Sequence, residues 1–206
     1  MCCMPERGRV GILISGRGRN MVSLVEAMRT GQLDAEPAVV VSNVPEAAGL
    51  RRAADFGIPT EIVEHKRIKP RRAHDAAVVE VLQRYEVDLV CLAGYMRLLS
   101  PVMVEAFRDR ILNIHPSLLP AFPGLDAQRQ ALEYGVKIAG CTVHLVDEKC
   151  DHGPILLQAC VPVLADDTED SLARRILEQE HRLYPQAVAL FFAGVSLDGR
   201  RAGTHS

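Results

Sequence analysis

The sequence contains no tryptophan, and only four Tyr and five Phe among 206 residues. That leaves little from which to build an aromatic stacking platform for single-stranded nucleic acid. An excess of charge of one sign is missing too. Twenty-four Lys and Arg stand against 26 Asp and Glu, a formal net charge of -2. No basic surplus points to nucleic acid, and no long acidic run points to a solvating tail. No apolar run approaches membrane-spanning length. The opening Met1-Cys2-Cys3-Met4-Pro5-Glu6-Arg7 has no apolar stretch of the kind a signal peptide needs. The six cysteines (Cys2, Cys3, Cys91, Cys141, Cys150 and Cys160) form no Cys-x-x-Cys pair and have no spaced histidine pair beside them. Zinc is therefore disfavoured. Cys91, Cys141 and Cys160 lie in apolar runs and read as small buried hydrophobes in a reduced compartment. These absences describe a cytoplasmic protein that partners neither membrane nor nucleic acid.

What is present is a large apolar fraction, 48% of the chain, enough for one domain or two halves sharing a core. Residues 9–15 form an apolar run ended by glycines, as a buried parallel strand would be. Apolar positions at Met21, Leu24, Val25 and Met28 predict a helix after Asn20. Further strands are predicted over 37–42, 60–63 and 88–93, with helices over 46–56 and 71–85. Strands alternating with helices imply βαβ units and a parallel sheet. The second half changes character. A strand over 110–115 runs into a loop forced by Pro116, Pro120 and Pro123, and a brief helix covers 128–134. Strands over 138–146 and 155–163 follow, the first alternating with Thr142, His144 and Val146 on one face. Asp167 or Thr168 caps a long helix reaching about Phe192, and the polar tail 198–206 reads as frayed. The fold class is α/β: a Rossmann-like, mostly parallel sheet flanked by helices, then an antiparallel strand region and a long C-terminal helix. The expected division within this single domain is a nucleotide- or phosphate-binding half over 9–106, a catalytic half over 107–193 and a tail over 194–206.

The turn Ser15-Gly16-Arg17-Gly18-Arg19-Asn20 joins the first strand to the first helix. Open α/β sheets bind ligands at the carboxyl ends of their strands. Glycines there admit an anion to backbone N–H groups at a helix N-terminus. The same turn also fits a tight connection that merely needs small residues. A dinucleotide fingerprint is excluded: Met21 stands after Asn20 where a third glycine would be needed. Ser42-Asn43 also ends the second strand without the acidic residue that would hold a ribose diol. No Gly-Lys-Ser/Thr follows, so this is no Walker loop. A site for a single phosphate remains.

The chemistry is carried by Leu112-Asn113-Ile114-His115-Pro116-Ser117-Leu118-Leu119-Pro120. Asn113 and His115 are two apart at a strand end, so both side chains point to one face. One offers an amide donor, the other an acid/base group. Asp151 lies downstream in the loop Lys149-Cys150-Asp151-His152-Gly153-Pro154. Such a set can stabilise an oxyanion and move protons without a covalent enzyme intermediate.

The stretch from Asn113 to Pro120 resembles the signature of the folate-dependent formyltransferases. Other motifs bring the resemblance to the branch that formylates phosphoribosylglycinamide, also called glycinamide ribonucleotide. They are Ile14-Ser15-Gly16-x-Gly18-x-Asn20, Ala93-Gly94-Tyr95-Met96-Arg97-Leu98-Leu99-Ser100 and Phe122-Pro123-Gly124-Leu125. Gln130-Ala131-Leu132, Gly140-Cys141-Thr142-Val143-His144 and Glu178-Gln179-Glu180-His181 extend it, so that it covers residues 9 to about 193 in order.

The resemblance implies the formyltransferase fold and a purine-biosynthetic transferase that moves a formyl group from 10-formyltetrahydrofolate to the amine of 5'-phosphoribosylglycinamide. Asn113, His115 and Asp151 would be catalytic. Gly18, Arg19 and Asn20 would hold the substrate phosphate, and Glu180 the ribose hydroxyls, although by itself Glu180 reads as a solvated helix carboxylate. The folate would rest on Met96, Arg97, Leu98, Leu99 and Asn113, with Arg71 near its glutamate tail, although by itself Arg71 is one surface arginine of a basic run. A cis bond is common in the family at the position of Leu119-Pro120. No metal is needed, because the formyl group arrives activated on its carrier. The implied partners are the two small molecules, and the assembly a monomer or homodimer. This chain departs from the family pattern at Arg19 (usually serine), Ala121 (often lysine), Asp126 (histidine in some members) and His152 (commonly glycine). The alternative is a formyltetrahydrofolate hydrolase. Those relatives usually carry an extra N-terminal domain, whereas here the first strand starts by residue 9. Formyltransferases acting on initiator tRNA add a basic C-terminal domain, and a non-catalytic binding module would not need the Asn113, His115 and Asp151 set.

Overall fold

The computed structural model describes residues 7–194. The readings for Cys2, Cys3 and the tail 198–206 lie outside the described residues. The chain divides into two compact units, one ending at Ile111 and the other beginning at Leu112.

The first unit alternates strand and helix: β1 (Gly8–Ile14), α1 (Arg19–Arg29), β2 (Ala35–Ser42), α2 (Ala48–Asp55), β3 (Thr60–Ile62), α3 (Arg71–Arg84), β4 (Leu89–Leu92) and α4 (Pro101–Ala106). Its strands are parallel, in the order β3-β2-β1-β4. Central β1 explains the continuous apolar run. Val10, Ile12, Leu13 and Ile14 are all fully buried, as a strand covered on both faces requires. Gly11 lets α3 approach: a Cβ there would stand 2.6 Å from the Leu82 side chain. The short helix α4 carries too few residues for a periodic signal. Its only mark in the sequence is Pro101 at the first helical position, where the missing N–H costs nothing.

The second unit holds β5 (Ile111–His115) from Leu112 onward, α5 (Ala127–Tyr134), β6 (Ile138–Leu145), β7 (Ile155–Pro162) and α6 (Glu169–Phe192). β6 pairs antiparallel with both β5 and β7. Thr168 caps α6 in a reciprocal capping box with Ser171, and Glu169 and Asp170 fill the first turn, where carboxylates favour the helix dipole. Leu172, Ile176, Leu183, Tyr184, Ala187 and Val188 form its buried stripe, and α6 packs on β6 and β7. Both faces of β6 are covered from Ala139 onward, so its alternation does not separate core from solvent. Cys160 corrects the sequence reading: it is exposed. β7 buries only Val161 fully, so an apolar neighbourhood in sequence does not bury its alternate positions. Among the described residues no helix is long and apolar enough to cross a membrane.

Candidate active site

Antiparallel pairing of β5 with β6 sets Asn113 directly opposite His144 and His115 opposite Thr142. The second unit therefore gathers Asn113, His115 and Asp151, and adds His144. Asn113 Nδ2 lies 3.1 Å from His144 Nε2 and 3.4 Å from Asp151 Oδ1. Asp151 Oδ2 is 3.5 Å from His115 Nδ1, and its Oδ1 is 3.8 Å from His144 Nε2. His115 Nε2 stands 2.9 Å from the Phe122 carbonyl oxygen. A carbonyl only accepts, so that nitrogen carries a proton and Nδ1 is the one turned to Asp151.

Asp151 is held by the backbone rather than by its side-chain neighbours. The Gly124 N–H donates to Oδ2 at 2.8 Å, whereas its side-chain contacts to Asn113, His115 and His144 are all longer than an ordinary hydrogen bond. Asp151 adopts a left-handed backbone, φ 48°, a conformation that Asp tolerates better than most residues. Gly153 then passes so close to β6 that a Cβ would stand 1.9 Å from the Leu145 carbonyl oxygen. No side chain fits there, and the loop is pinned beside the end of β6. Burial pushes the Cys150 thiol pKa up, and the adjacent Asp151 carboxylate pushes it further.

The loop after His115 is tied to the strands by polar side chains. The Thr142 hydroxyl donates to the Ser117 carbonyl at 2.7 Å and accepts the Leu119 N–H at 3.0 Å. Gln158 donates to the Leu119 carbonyl at 2.9 Å. The Leu119-Pro120 bond is cis, and Phe122 stacks edge-on against Tyr134 at 5.9 Å.

In the first unit, Gly18 is the left-handed N-cap of α1, with φ 66°. A Cβ on Gly18 would stand 3.0 Å from the Gly49 backbone, so with this positive φ a side chain there would be strained and crowded. Arg19 is exposed and Asn20 half-buried. Ser15 joins this turn to the next segment: its N–H donates to the Gly94 carbonyl at 3.1 Å, and its hydroxyl accepts the Met96 N–H at 2.8 Å. Met96 and Leu98 are largely exposed, at 66% and 56%, and Arg97 and Leu99 are half-buried. Arg71 is exposed at the first position of α3.

A family model described as formyl transferase matches residues 8–188. The chain belongs to the formyl transferase family. Among relatives, the trifunctional purine biosynthetic protein adenosine-3 of Drosophila melanogaster is 48% identical over 93% of this chain, which spans only 14% of that longer protein. The phosphoribosylglycinamide formyltransferase of Escherichia coli (strain K12) is 43% identical, with 89% of this chain and 86% of the relative covered. A solved structure, glycinamide ribonucleotide transformylase 1 from Symbiobacterium toebii, superimposes with a TM-score of 0.92 at 54% identity, covering 94% of this chain and 92% of that one.

In this formyl transferase Glu180 is not a solvated helix carboxylate. It is only 6% exposed, and together with burial its charge pushes the Cys141 thiol pKa up to about 12. Three members of this cluster were not assigned from sequence: His144, the Phe122 carbonyl and the Gly124 N–H. His144 shares one face of β6 with Thr142, but its place opposite Asn113 is set by the register of β5 against β6. The two backbone groups carry no signal in the sequence, because their roles arise from the loop's path. Among the described residues, no cluster of three or more His, Cys, Asp or Glu is arranged to hold a metal.

Proposed function

We propose that this chain is a phosphoribosylglycinamide formyltransferase, carrying the formyl group of 10-formyltetrahydrofolate to the amine of 5'-phosphoribosylglycinamide in purine biosynthesis. The observation that carries the reading is the convergence of Asn113, His115 and Asp151 in one unit. The relatives bearing that enzyme's name, matched over most of their length, support it.

The substrate's own amine is the nucleophile. Its attack on the formyl carbon makes a tetrahedral oxyanion; the Asn113 amide donates to it, as does protonated His115 through Nδ1–H, since Nε2–H is held by the Phe122 carbonyl. One Asn113 N–H is committed to His144, and the other makes only the long contact to Asp151. The latter is the donor an oxyanion can recruit. Asp151 supports positive charge on His115 and takes part in moving the amine proton. The folate leaves as a weakly basic aryl amine, more readily once protonated. Gly18, Arg19 and Asn20 bind the phosphate and Glu180 the ribose hydroxyls. Met96, Arg97, Leu98 and Leu99 bind the pterin, and Arg71 meets the glutamate tail. The reading carries with it a cytoplasmic location and a monomer or homodimer.

Mixing the protein with both substrates and following the folate absorbance tests this. Formyl transfer should require the ribonucleotide. Loss of the formyl group at an equal rate without the amine acceptor would overturn the transferase reading in favour of a hydrolase.

A further inference from the structure

Against the 95–100 segment, in which Met96 and Leu98 are exposed, lies a buried polar pair that the proposed reaction does not use. His74 and Asp75, in the first turns of α3, are 0% and 1% exposed. His74 Nε2 lies 2.8 Å from the Val63 carbonyl oxygen, and Nδ1 lies 3.2 Å from Asp75 Oδ1. The other carboxylate oxygen, Oδ2, accepts the Ser100 N–H at 2.6 Å. Ser100 is fully buried and closes the segment that begins at Tyr95.

Donor and acceptor counting gives this arrangement its content. The Val63 carbonyl can only accept, so Nε2 carries a proton. A neutral ring would then aim the Nδ1 lone pair at a carboxylate oxygen, with both groups out of water. Two acceptors facing each other in a buried site are costly, so one further proton lies between Nδ1 and Oδ1. With Oδ1 satisfied in this way, Oδ2 is left to grip the Ser100 backbone. The neighbouring groups are Tyr95, 8% exposed, and Arg97, which hydrogen-bonds to the Tyr95 phenol. At the other end of the segment Ser15 holds the Met96 N–H. Met96 to Leu99 are thus suspended between two backbone anchors.

We infer that His74 and Asp75 are positioning residues for the folate: they share one proton and, through the Ser100 N–H, hold the Met96–Leu99 lip in its binding conformation. This rests on the proposed reading that Met96 to Leu99 bind the pterin. His74 acts on the lip through its hydrogen bond to Asp75.

Two variants separate positioning from bulk stability. Asp75→Ala removes the Ser100 acceptor. Asp75→Asn keeps the shape and completes the same network without the shared proton: its carbonyl oxygen accepts from Ser100, and its NH2 donates to a neutral His74 Nδ1. Asp75→Ala should raise the KM for 10-formyltetrahydrofolate by about tenfold, the scale of losing a hydrogen bond to a charged group. The ribonucleotide KM should stay within about twofold, as expected of a contact outside its site. Asp75→Asn should recover most of the folate KM. Backbone hydrogen exchange over 95–100, measured without ligand, should quicken by at least about tenfold in Asp75→Ala and return toward the native rate in Asp75→Asn. That readout separates a failure of this inference from a failure of the functional reading, because it needs no turnover. In nitrogen-15 spectra, His74 should carry only the Nε2 proton in Asp75→Asn. Native exchange over 95–100 or a native folate KM in Asp75→Ala would overturn the inference. So would equal rises in both KM values. If Asp75→Ala does not accumulate folded, His74→Phe carries the test: it removes both ring nitrogens at similar volume, and an unchanged exchange rate over 95–100 would overturn the shared-proton tie.

Discussion

Asn113 Nδ2 lies 3.1 Å from His144 Nε2, and the tautomer of the ring decides the way round the amide stands. His144 Nδ1 is 2.8 Å from the Leu145 carbonyl oxygen, which only accepts, so Nδ1 holds the proton. Nε2 of the neutral ring is then an acceptor, and only the NH2 group of Asn113 can donate to it. The amide nitrogen is thereby directed toward His144 and Asp151, the orientation a donor to an oxyanion needs. Gly153, by pinning its loop beside the Leu145 carbonyl, keeps this chain of bonds in place.

Asn113→Ala and His115→Ala should each lower kcat by at least about 10²-fold, the usual scale for losing an oxyanion donor or an acid/base group. Both KM values should move far less, because the side chains act on charge that develops after binding. Steady-state kinetics with both substrates varied provide the check. Near-native turnover in either variant would remove that residue from the proposed oxyanion site.

Asp151→Asn keeps the size of the side chain and still offers an oxygen to the Gly124 N–H. It removes the charge that supports a protonated His115 and cannot take up a proton. Turnover should fall by at least about tenfold, in the lower range for an acid/base group. Because the amide carries neither charge nor titratable proton, the acidic side of the pH–rate profile should change along with the rate. An unaltered rate and profile would leave Asp151 with a structural role only.

Stability should carry the mark of His144. Burial, with the neighbouring His115 adding a smaller push, takes its pKa below the ordinary value against the opposing Leu145 hydrogen bond and Asp151 charge. Between the lowered folded value and the ordinary unfolded one, the unfolded chain binds more protons. Stability in that window therefore rises with pH, is fully present above the unfolded pKa of about 6.5, and is lost as pH falls toward the folded value. His144→Gln has nothing to titrate there. Its Tm should fall less steeply than the native Tm between about pH 7 and pH 5, the range below an ordinary histidine pKa. Parallel Tm profiles for the two proteins would contradict this.

Legibility in the sequence followed periodicity and spacing. The parallel half could be read because buried strands are continuous apolar runs, and β1 and β4 are such runs. Asn113 and His115 could be read because a strand sends alternate residues to one face. α4 was hidden by its length, and exposed Cys160 by the apolar residues around it. His144 lay in a recognised motif, but its role depends on the register of β5 against β6. His74 and Asp75 were silent because adjacent positions on a helix give no pattern that shows they share a buried pocket. The burial of Glu180 depends on α6 packing, and nothing in the spacing of charges along that helix reports it.

Arg19 is the position where this chain's own chemistry is most open to test. α1 begins at Arg19, is capped by Gly18 without any side-chain hydrogen bond, and has no acidic residue in its first turn. No carboxylate in that first turn opposes an incoming anion, and the first backbone N–H groups of a helix lack intrahelical partners. Arg19 is exposed, so its guanidinium can turn toward a phosphate and give two charge-assisted donors where serine would give one neutral donor. Arg19→Ser should therefore raise the KM for 5'-phosphoribosylglycinamide by about three- to tenfold at low ionic strength, the range of a solvent-screened charge contact. The salt dependence of that KM should weaken, because one cation has been removed. The folate KM and the chemical step should hardly change. A ribonucleotide KM unaltered at low ionic strength would show that the phosphate meets the backbone alone, with the Arg19 side chain left in solvent.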